Sequence, residues 1–467
     1  MRRATLCLAA AAALAAAAPG SLRAQGFQVN EHGTCVMARA GTGVASPCED
    51  ASAIYYNPAG MTALDGWTIS AGVTVIAASG SFQADLTGAT TNLDNDPIPV
   101  PHLYAMYGKD KWSAGLGVFV PYGLGTKWPL DFEGRFLGYD NDLRSIYVQP
   151  SAAYQVTEWL SLGAGLDIVI ASIELNQRLD FSAQQAPAPA PAGVTVGQLG
   201  IPFHTQFANA SIEAKGAKSI AGNFGLQLTP VPQLNIGVRY LTRTTLNYDG
   251  HATFDSVSTG VILPGGNAFG VPGGTPLDAV ISGLGLFDAG GLLEDQGGGT
   301  SITMPDQLTV GLAFDVTPTL KLLGEWQWVH WSLFQIIELE FDNPLLNQTL
   351  HESYENTNGF RFGFDWLASG KVNLRGGYLH HQGAAPDQTV TPLLPEGSRN
   401  EFTGGVGFRF GEHWILDLAY QYIRQDDRRG RVRDTSPGDP DPPTTALNSG
   451  LYTFNAHLFG ATITARF

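Results

Sequence analysis

The stretch Leu451–Phe467, LYTFNAHLFGATITARF, constrains the fold more than any other part of the chain. Successive side chains of an extended strand point to opposite faces. Phe459, Ala461, Ile463, Ala465 and Phe467 therefore share one face, and Gly460, Thr462, Thr464 and Arg466 the other. One face is greasy and the other polar, and an aromatic residue stands last. Such a strand reads as the closing strand of an outer-membrane β-barrel, apolar toward lipid and polar toward the lumen. A final Phe is also similar to the signal by which barrel-assembly machinery recognises its clients, so that machinery is an expected partner during biogenesis. Outer-membrane lipid and lipopolysaccharide are the expected surroundings.

The other end of the chain is expected to carry the matching address. Arg2 and Arg3 precede an apolar run, Leu6–Ala18, which is broken by Pro19, Gly20 and Ser21. Residues 1–24 thus read as a cleaved secretory signal peptide, too short to span a bilayer as a helix. No Cys sits at the cleavage point, so a lipoprotein is not expected, and the mature chain is expected to begin at Gln25.

Composition agrees with a barrel. Charged residues are 15% of the chain, against ~25% in soluble proteins. Apolar residues make up 44%, yet mean hydropathy is -0.01. Beyond the signal no run approaches the ~18 apolar residues of a membrane helix. A net charge of -16 argues against nucleic acid as a partner, because that surface attracts cations.

Alternation recurs from Trp67 onward. Leu160–Ile170, Leu308–Phe314, Phe360–Trp366 and Trp414–Tyr422 each place apolar residues at every second position. Tight turns are expected at Lys109–Lys111, Thr157–Glu158, Thr229–Gln233, Thr317–Thr319, Ala368–Gly370 and Gly411–His413. Long connections are expected near 81–98, 123–142, 180–215, 250–300, 339–357, 383–398 and 425–449. Short and long connections alternate, as periplasmic turns alternate with extracellular loops. Six turns and seven loops imply a fourteen-stranded antiparallel transmembrane β-barrel over residues 67–467.

Two loops are unusual. The 180–215 loop holds a stiff Ala-Pro spacer, Ala186–Gly193, followed by Ile201, Phe203 and Phe207. The 250–300 loop sets Leu277, Val280, Ile281 and Leu284 at helical spacing, with Leu286 and Phe287 after them. Phe203, Phe207, Leu284, Leu286 and Phe287 are therefore candidates for capturing an apolar substrate. Packing of the loops on one another would use the same residues. Residues 25–66 show no strand alternation, and some forty residues of this kind need a surrounding structure. The lumen of the barrel supplies one.

Specific motifs lie in and beyond that segment. GFQVNEHGT (Gly26–Thr34) and YYNPAGM (Tyr55–Met61) resemble the N-terminal hatch of the FadL/TodX family of outer-membrane transporters. PYGLGTKW (Pro121–Trp128), MPDQLTVG (Met304–Gly311) and WVHWSLFQ (Trp328–Gln335) resemble the third-strand end, a strand entry and a ninth-strand segment of that family. The resemblance implies a barrel plugged by its hatch. It also implies passive uptake of hydrophobic small molecules, long-chain fatty acids in some members and aromatic hydrocarbons in others, and no cofactor. In the family an inward kink of the third strand opens the wall. Here small residues Ser113, Ala114, Gly115 and Gly117 are the candidates for that opening. The hatch turn Asn57, Pro58, Ala59 and Gly60 is expected against it.

Fatty-acid members place basic residues in the fifth and ninth strands. The corresponding positions here are Gln177, with Arg178 beside it, and Glu338. Gln177 and Arg178 are the candidate polar contacts, whereas Glu338 would repel a carboxylate. Inward charges such as Arg239, Arg361, Arg375, Arg409, Glu325, Asp365 and Asp417 are expected to pair with one another and with Glu31, Arg39, Glu49 and Asp50 of the hatch. Cys35 and Cys48 are the cysteines left after signal cleavage, and an oxidising periplasm favours a disulfide between them, two buried thiols being the alternative. No G-x-S-x-G, H-E-x-x-H or Cys-x-x-Cys motif points to catalysis or a metal.

Overall fold

The computed structural model describes residues 27–85, 87–186, 193–430 and 450–467. The expected signal peptide, most of the Ala186–Gly193 spacer and most of the 425–449 connection lie outside the described residues. Among the described residues fourteen wall strands follow in chain order. They are β1 (Gly66–Ala84), β2 (Ile98–Lys109), β3 (Trp112–Lys127), β4 (Asp140–Thr157), β5 (Leu160–Asp180) and β6 (Gln206–Val231). Four strands are interrupted: β7 (Leu234–Leu241, Thr244–Ser256), β8 (Gln296–Met304, Gln307–Thr317), β9 (Leu320–Val329, Ile336–Phe341) and β10 (Gln348–His351, Thr357–Ser369). The last are β11 (Val372–His381), β12 (Arg399–Phe410), β13 (Trp414–Gln425) and β14 (Gly450–Arg466).

Each strand pairs antiparallel with the next, and β14 closes the ring on β1 from Arg466 opposite Thr68 to Gly450 opposite Ala84. Trp67 and Phe467 complete the seam with two backbone hydrogen bonds of 2.9 Å. Closure removes the outer edges of the sheet, as a bilayer requires, and leaves the ladder interrupted where β2 and β3 part. The expected alternation sorts the faces. Leu162, Leu166, Ile168, Phe362, Trp366, Leu418 and Phe459 are exposed outward, while Thr462, Thr464, Asp167 and Arg361 are buried inward. Trp67, Trp112, Trp159 and Trp414 stand near the short-turn end, where amphipathic rings suit the membrane interface.

The expected turns recur, but β5 and β6 run further than alternation alone implied. The third long loop accordingly begins after Asp180 and ends at Gln206. The lumen is filled by residues 27–65, which contain two short helices, α1 (Thr34–Ala38) and α2 (Ala53–Tyr56), and a 3-10 turn at Pro58–Ala63. Outside, the loops bury a small core of their own. Phe181, Ile201, Phe207, Leu263, Leu293 and the loop helix α3 (Leu277–Gly283), through Leu277 and Ile281, form it.

Candidate functional site

The lower half of the hatch is held by charge. Arg375 Nε lies 2.9 Å from Asp365, its Nη1 also meets Asp417, and Arg39 of the hatch stands 3.6 Å from Asp365. Arg361 donates to Gln327 Oε1 (2.6 Å) and to Asn30 Oδ1 (3.1 Å), and sits 3.8 Å from Glu325. Glu325 accepts from the Val44 amide at 2.6 Å. Near the periplasmic rim, Glu49 pairs with Arg409 and, at 3.4 Å, with Arg466. Cys35 and Cys48 are joined by a disulfide with Cα atoms 6.3 Å apart. Buried charge is tolerated only when paired, and here the partners belong alternately to hatch and wall.

The hatch turn sits elsewhere than expected. Asn57 Oδ1 caps the Ala59 amide (3.1 Å), and Asn57 Nδ2 donates to Val44 O (2.6 Å) and Leu226 O (3.1 Å). The turn therefore lies against β5 and β6, not against the third-strand kink. Gly163 and Gly225 make this possible. A Cβ on Gly163 would fall 2.3 Å from the Ala59 nitrogen, and one on Gly225 would fall 2.1 Å from Asn57 Oδ1.

What meets the third strand is the first described segment of the hatch. Val29 donates to Pro121 O (2.9 Å) and Gly123 donates to Phe27 O (3.1 Å). Phe27 is enclosed by Tyr122, Trp331 and Phe334, with ring centroids 6.1, 5.0 and 5.6 Å away. Tyr122 is fixed in turn, donating to Pro305 O (2.9 Å) and accepting from Gln307 Nε2 (2.7 Å).

At this level the wall opens. The β2–β3 ladder runs from Lys109 opposite Trp112 to Leu103 opposite Val118 and then stops. β2 stays paired with β1 up to Ile98, and β3 stays with β4 up to Lys127, with a bulge between Phe119 and Tyr122. The gap is capped above by Asn95, whose side chain donates to Gly125 O (2.8 Å) and accepts from the Lys127 amide (2.7 Å). The result is a framed window, roughly 20 Å along the strands at ~3.3 Å per residue.

A cavity of about 650 Å³ adjoins this window. Ile76, Ile98, Val120 and Ile146 line it near the wall, Phe27–Glu31 line it from the hatch, and Arg144, Arg399, Glu401 and Gln425 add polar groups. A second space of about 300 Å³ forms a groove among the outer loops. Phe136, Leu175, Leu179, Phe254, Leu339 and Phe341 wall it, and Gln177 and Arg178 enter it. The two spaces are separated by a short loop. Thr391 and Leu393 face the groove while Leu394 and Pro395 face the cavity. Trp128 Nε1 and Thr126 Oγ1 hold that loop by bonds to Pro392 O (3.1 Å) and Leu393 O (3.0 Å).

The family model described as outer membrane protein transport protein (OMPP1/FadL/TodX) matches residues 14–467. The chain belongs to this family. The family moves hydrophobic compounds across the outer membrane by transport channels rather than enzymes. The long-chain fatty acid transport protein of Escherichia coli is 24% identical over 412 residues, covering 85% of this chain and 86% of that one. The solved structure of a Pseudomonas aeruginosa FadL homologue superposes with a TM-score of 0.79 at 20% identity, covering 95% of this chain and all of that one. The Ralstonia pickettii toluene transporter TbuX gives 0.64 at 22% identity, covering 94% and 100%.

Within this family fold the site residues read from the sequence are distributed as follows. Ser113, Ala114, Gly115 and Gly117 lie where β3 is paired on both sides, so the break in the ladder is displaced from them to Phe119–Gly125. Gly115 and Gly117 serve close packing instead, since a Cβ on either would fall within 3.0 Å of Ile54. Of the capture candidates, Phe207 is buried in the loop core, with its ring 5.2 Å from Phe181. Leu286 and Phe287 pack half-buried on that core, whereas Phe203 and Leu284 are exposed. None of the five lines the groove. Gln177 and Arg178 do, and Arg178 Nε is buried there without a hydrogen-bond partner. Glu338 is exposed, and its neighbour Leu339 faces the groove instead. Desolvation, followed by the charge of Arg135, pushes the loop residue His204 down to about 4. Sequence reasoning missed Thr391–Pro395 and Arg399. It also missed Pro97, Pro99 and Pro101, although alternating prolines leading into a strand are a legible edge signal.

Proposed function

We propose that this protein takes up hydrophobic acids, long-chain fatty acids in first place, by capture in the outer groove and sideways release through the window. The observation that carries the choice of an acid is Arg178. Its guanidinium stands in a groove walled mostly by Leu and Phe, with Asp180 and several Asn and Gln side chains among them, and its Nε is unsatisfied. A carboxylate satisfies that donor, and the alkyl chain gains from burial at ~25 cal/mol per Å². From the groove the ligand passes the Thr391–Pro395 loop into the larger cavity. The hatch fills the lumen below, so the low-resistance way out is lateral, into lipid. That route spares an apolar molecule the aqueous periplasm.

A neutral aromatic substrate is the second reading. It is favoured by the likeness to a toluene transporter and by the apolar wall of the window, and it has no use for Arg178. A general porin fits less well, because the hatch occupies the lumen. Mass spectrometry of what co-purifies, followed by competition for uptake in cells lacking other such channels, separates these readings. An acid substrate predicts that oleate saturates uptake and that toluene does not compete. Toluene competing while oleate does not would overturn the choice.

A further inference from the structure

Three prolines stand at alternate positions along the free edge of the window: Pro97, Pro99 and Pro101. In an antiparallel ladder, alternate residues turn their backbone polar groups to opposite neighbours. The β1–β2 ladder continues to Ile76 opposite Ile98. Its β2 donors must therefore come from Ile98, Val100 and His102, because Pro has none. The prolines turn toward β3, as Leu103 does where the β2–β3 ladder begins at Val118. The edge of β2 that faces the window thus lacks three successive N–H groups.

The opposite edge is treated to the same end by other means. Pro121 also lacks a donor, and its carbonyl accepts from Val29. The Gly123 amide is taken by Phe27 O, and the Lys127 amide by Asn95 Oδ1. At Pro121, Gly123 and Lys127 the donor is thus either deleted or occupied. A free sheet edge facing hydrocarbon is ordinarily excluded, because each unsatisfied group is costly there and a bare edge recruits a partner strand.

We propose that Pro97, Pro99 and Pro101 are positioning residues that keep the lateral exit from zipping shut and leave it free of donors along the path of an apolar ligand. The proline edge bears on the transport route only if the sideways release proposed above is right, but its effect on the window can be measured separately. If the Leu103–Val118 register continued upward, Ile98 would stand opposite Gly123. The full-length protein carrying Ile98→Cys and Gly123→Cys is compared with and without Pro97→Ala, Pro99→Val and Pro101→Val. Readouts are oxidative cross-linking of the pair in membranes, hydrogen exchange over residues 97–103, and uptake of a fluorescent fatty acid by variants without the cysteine pair.

With the donors restored, cross-linking rises several-fold, the new amides are protected, and uptake falls. Equal cross-linking and unprotected amides in a folded variant would overturn the role given to the prolines. If the window zips but uptake is unchanged, the prolines act as stated and the sideways route fails instead. Should the triple variant lose the heat-resistant barrel migration on gels, Pro99→Val alone restores one donor at mid-window. It must then show the same change at smaller yield, or the inference fails.

Discussion

The floor and the upper rim of the hatch are built from opposite materials. At the floor, Arg39, Arg375, Asp365 and Asp417 interlock hatch and wall through buried charge, and the Cys35–Cys48 bond closes the same half. At the rim, Phe27–Val29 rests on two backbone hydrogen bonds and an aromatic cage. Buried ion pairs are brittle: removing one partner strands the others. An edge-to-face aromatic cage contributes less per contact and tolerates displacement. The difference places resistance below and compliance beside the window. On the route proposed above, this is why a ligand would leave by the wall and not by the floor.

That contrast can be broken at either end, and the floor is predicted to respond most. Arg375→Ala strips Asp417 of its cation and leaves Asp365 with Arg39 as its cation, and should cost roughly 3–5 kcal/mol. The check is denaturant unfolding of the hatch together with leakage of a polar dye, which should appear only in the variant. Reducing the Cys35–Cys48 bond, or replacing both residues by Ser, should cost the hatch about 2–4 kcal/mol. Faster proteolysis within residues 27–65 would register it, with the barrel itself intact. Labelling of the unfolded, unreduced protein should find neither cysteine free.

Changes above the window should be smaller and selective. Arg178→Ala is expected to weaken capture of an acid by about 1.5–3 kcal/mol, the usual worth of a hydrogen bond to a charged group. Binding of a neutral hydrocarbon should be unaffected, and an equal loss for both would remove Arg178 from ligand recognition. The last effect expected is one of pH, confined to the loop. His204 is held near 4 in the folded loop against ~6.5 for a free imidazole. The unfolded loop therefore binds more protons between these values. Loop stability should be full above about 6.5 and fall as pH drops toward about 4, seen as increased cleavage of the 181–205 loop.

Much of this was legible in the sequence, for identifiable reasons. Alternation with short and long connections gives the barrel, because period-two burial is enforced on every wall strand. The five quoted motifs prove to be neighbours in space: Phe27 meets Tyr122, Trp331 and Phe334, Tyr122 meets Pro305 and Gln307, and the Tyr55 ring lies 4.3 Å from that of His32. The loops were less readable. A helical apolar stripe looks the same whether it packs on a loop core or awaits a ligand, and Leu277 does the first while Leu284 is exposed. Small residues on β3 were equally ambiguous, and there they admit Ile54 rather than open the wall. The end of the β2–β3 ladder is marked locally by Pro97, Pro99 and Pro101, whereas the hatch groups that meet its other edge, Phe27 and Val29, are far away in sequence and strand periodicity does not encode them.

Sideways release, as proposed above, takes place at Phe119–Gly125. Gly123 tests it most directly, because a Cβ there meets nothing closer than 3.6 Å. Gly123→Trp should therefore leave the hatch seated while its ring fills the opening. The measurement is uptake of a fluorescent long-chain fatty acid by cells whose sole channel of this family is the variant, alongside equilibrium binding to the purified protein. Binding should persist while uptake collapses to the level of cells lacking the channel. Uptake at the unmodified rate, with the indole shown to occupy the window, would contradict lateral release and turn attention to a path through the hatch.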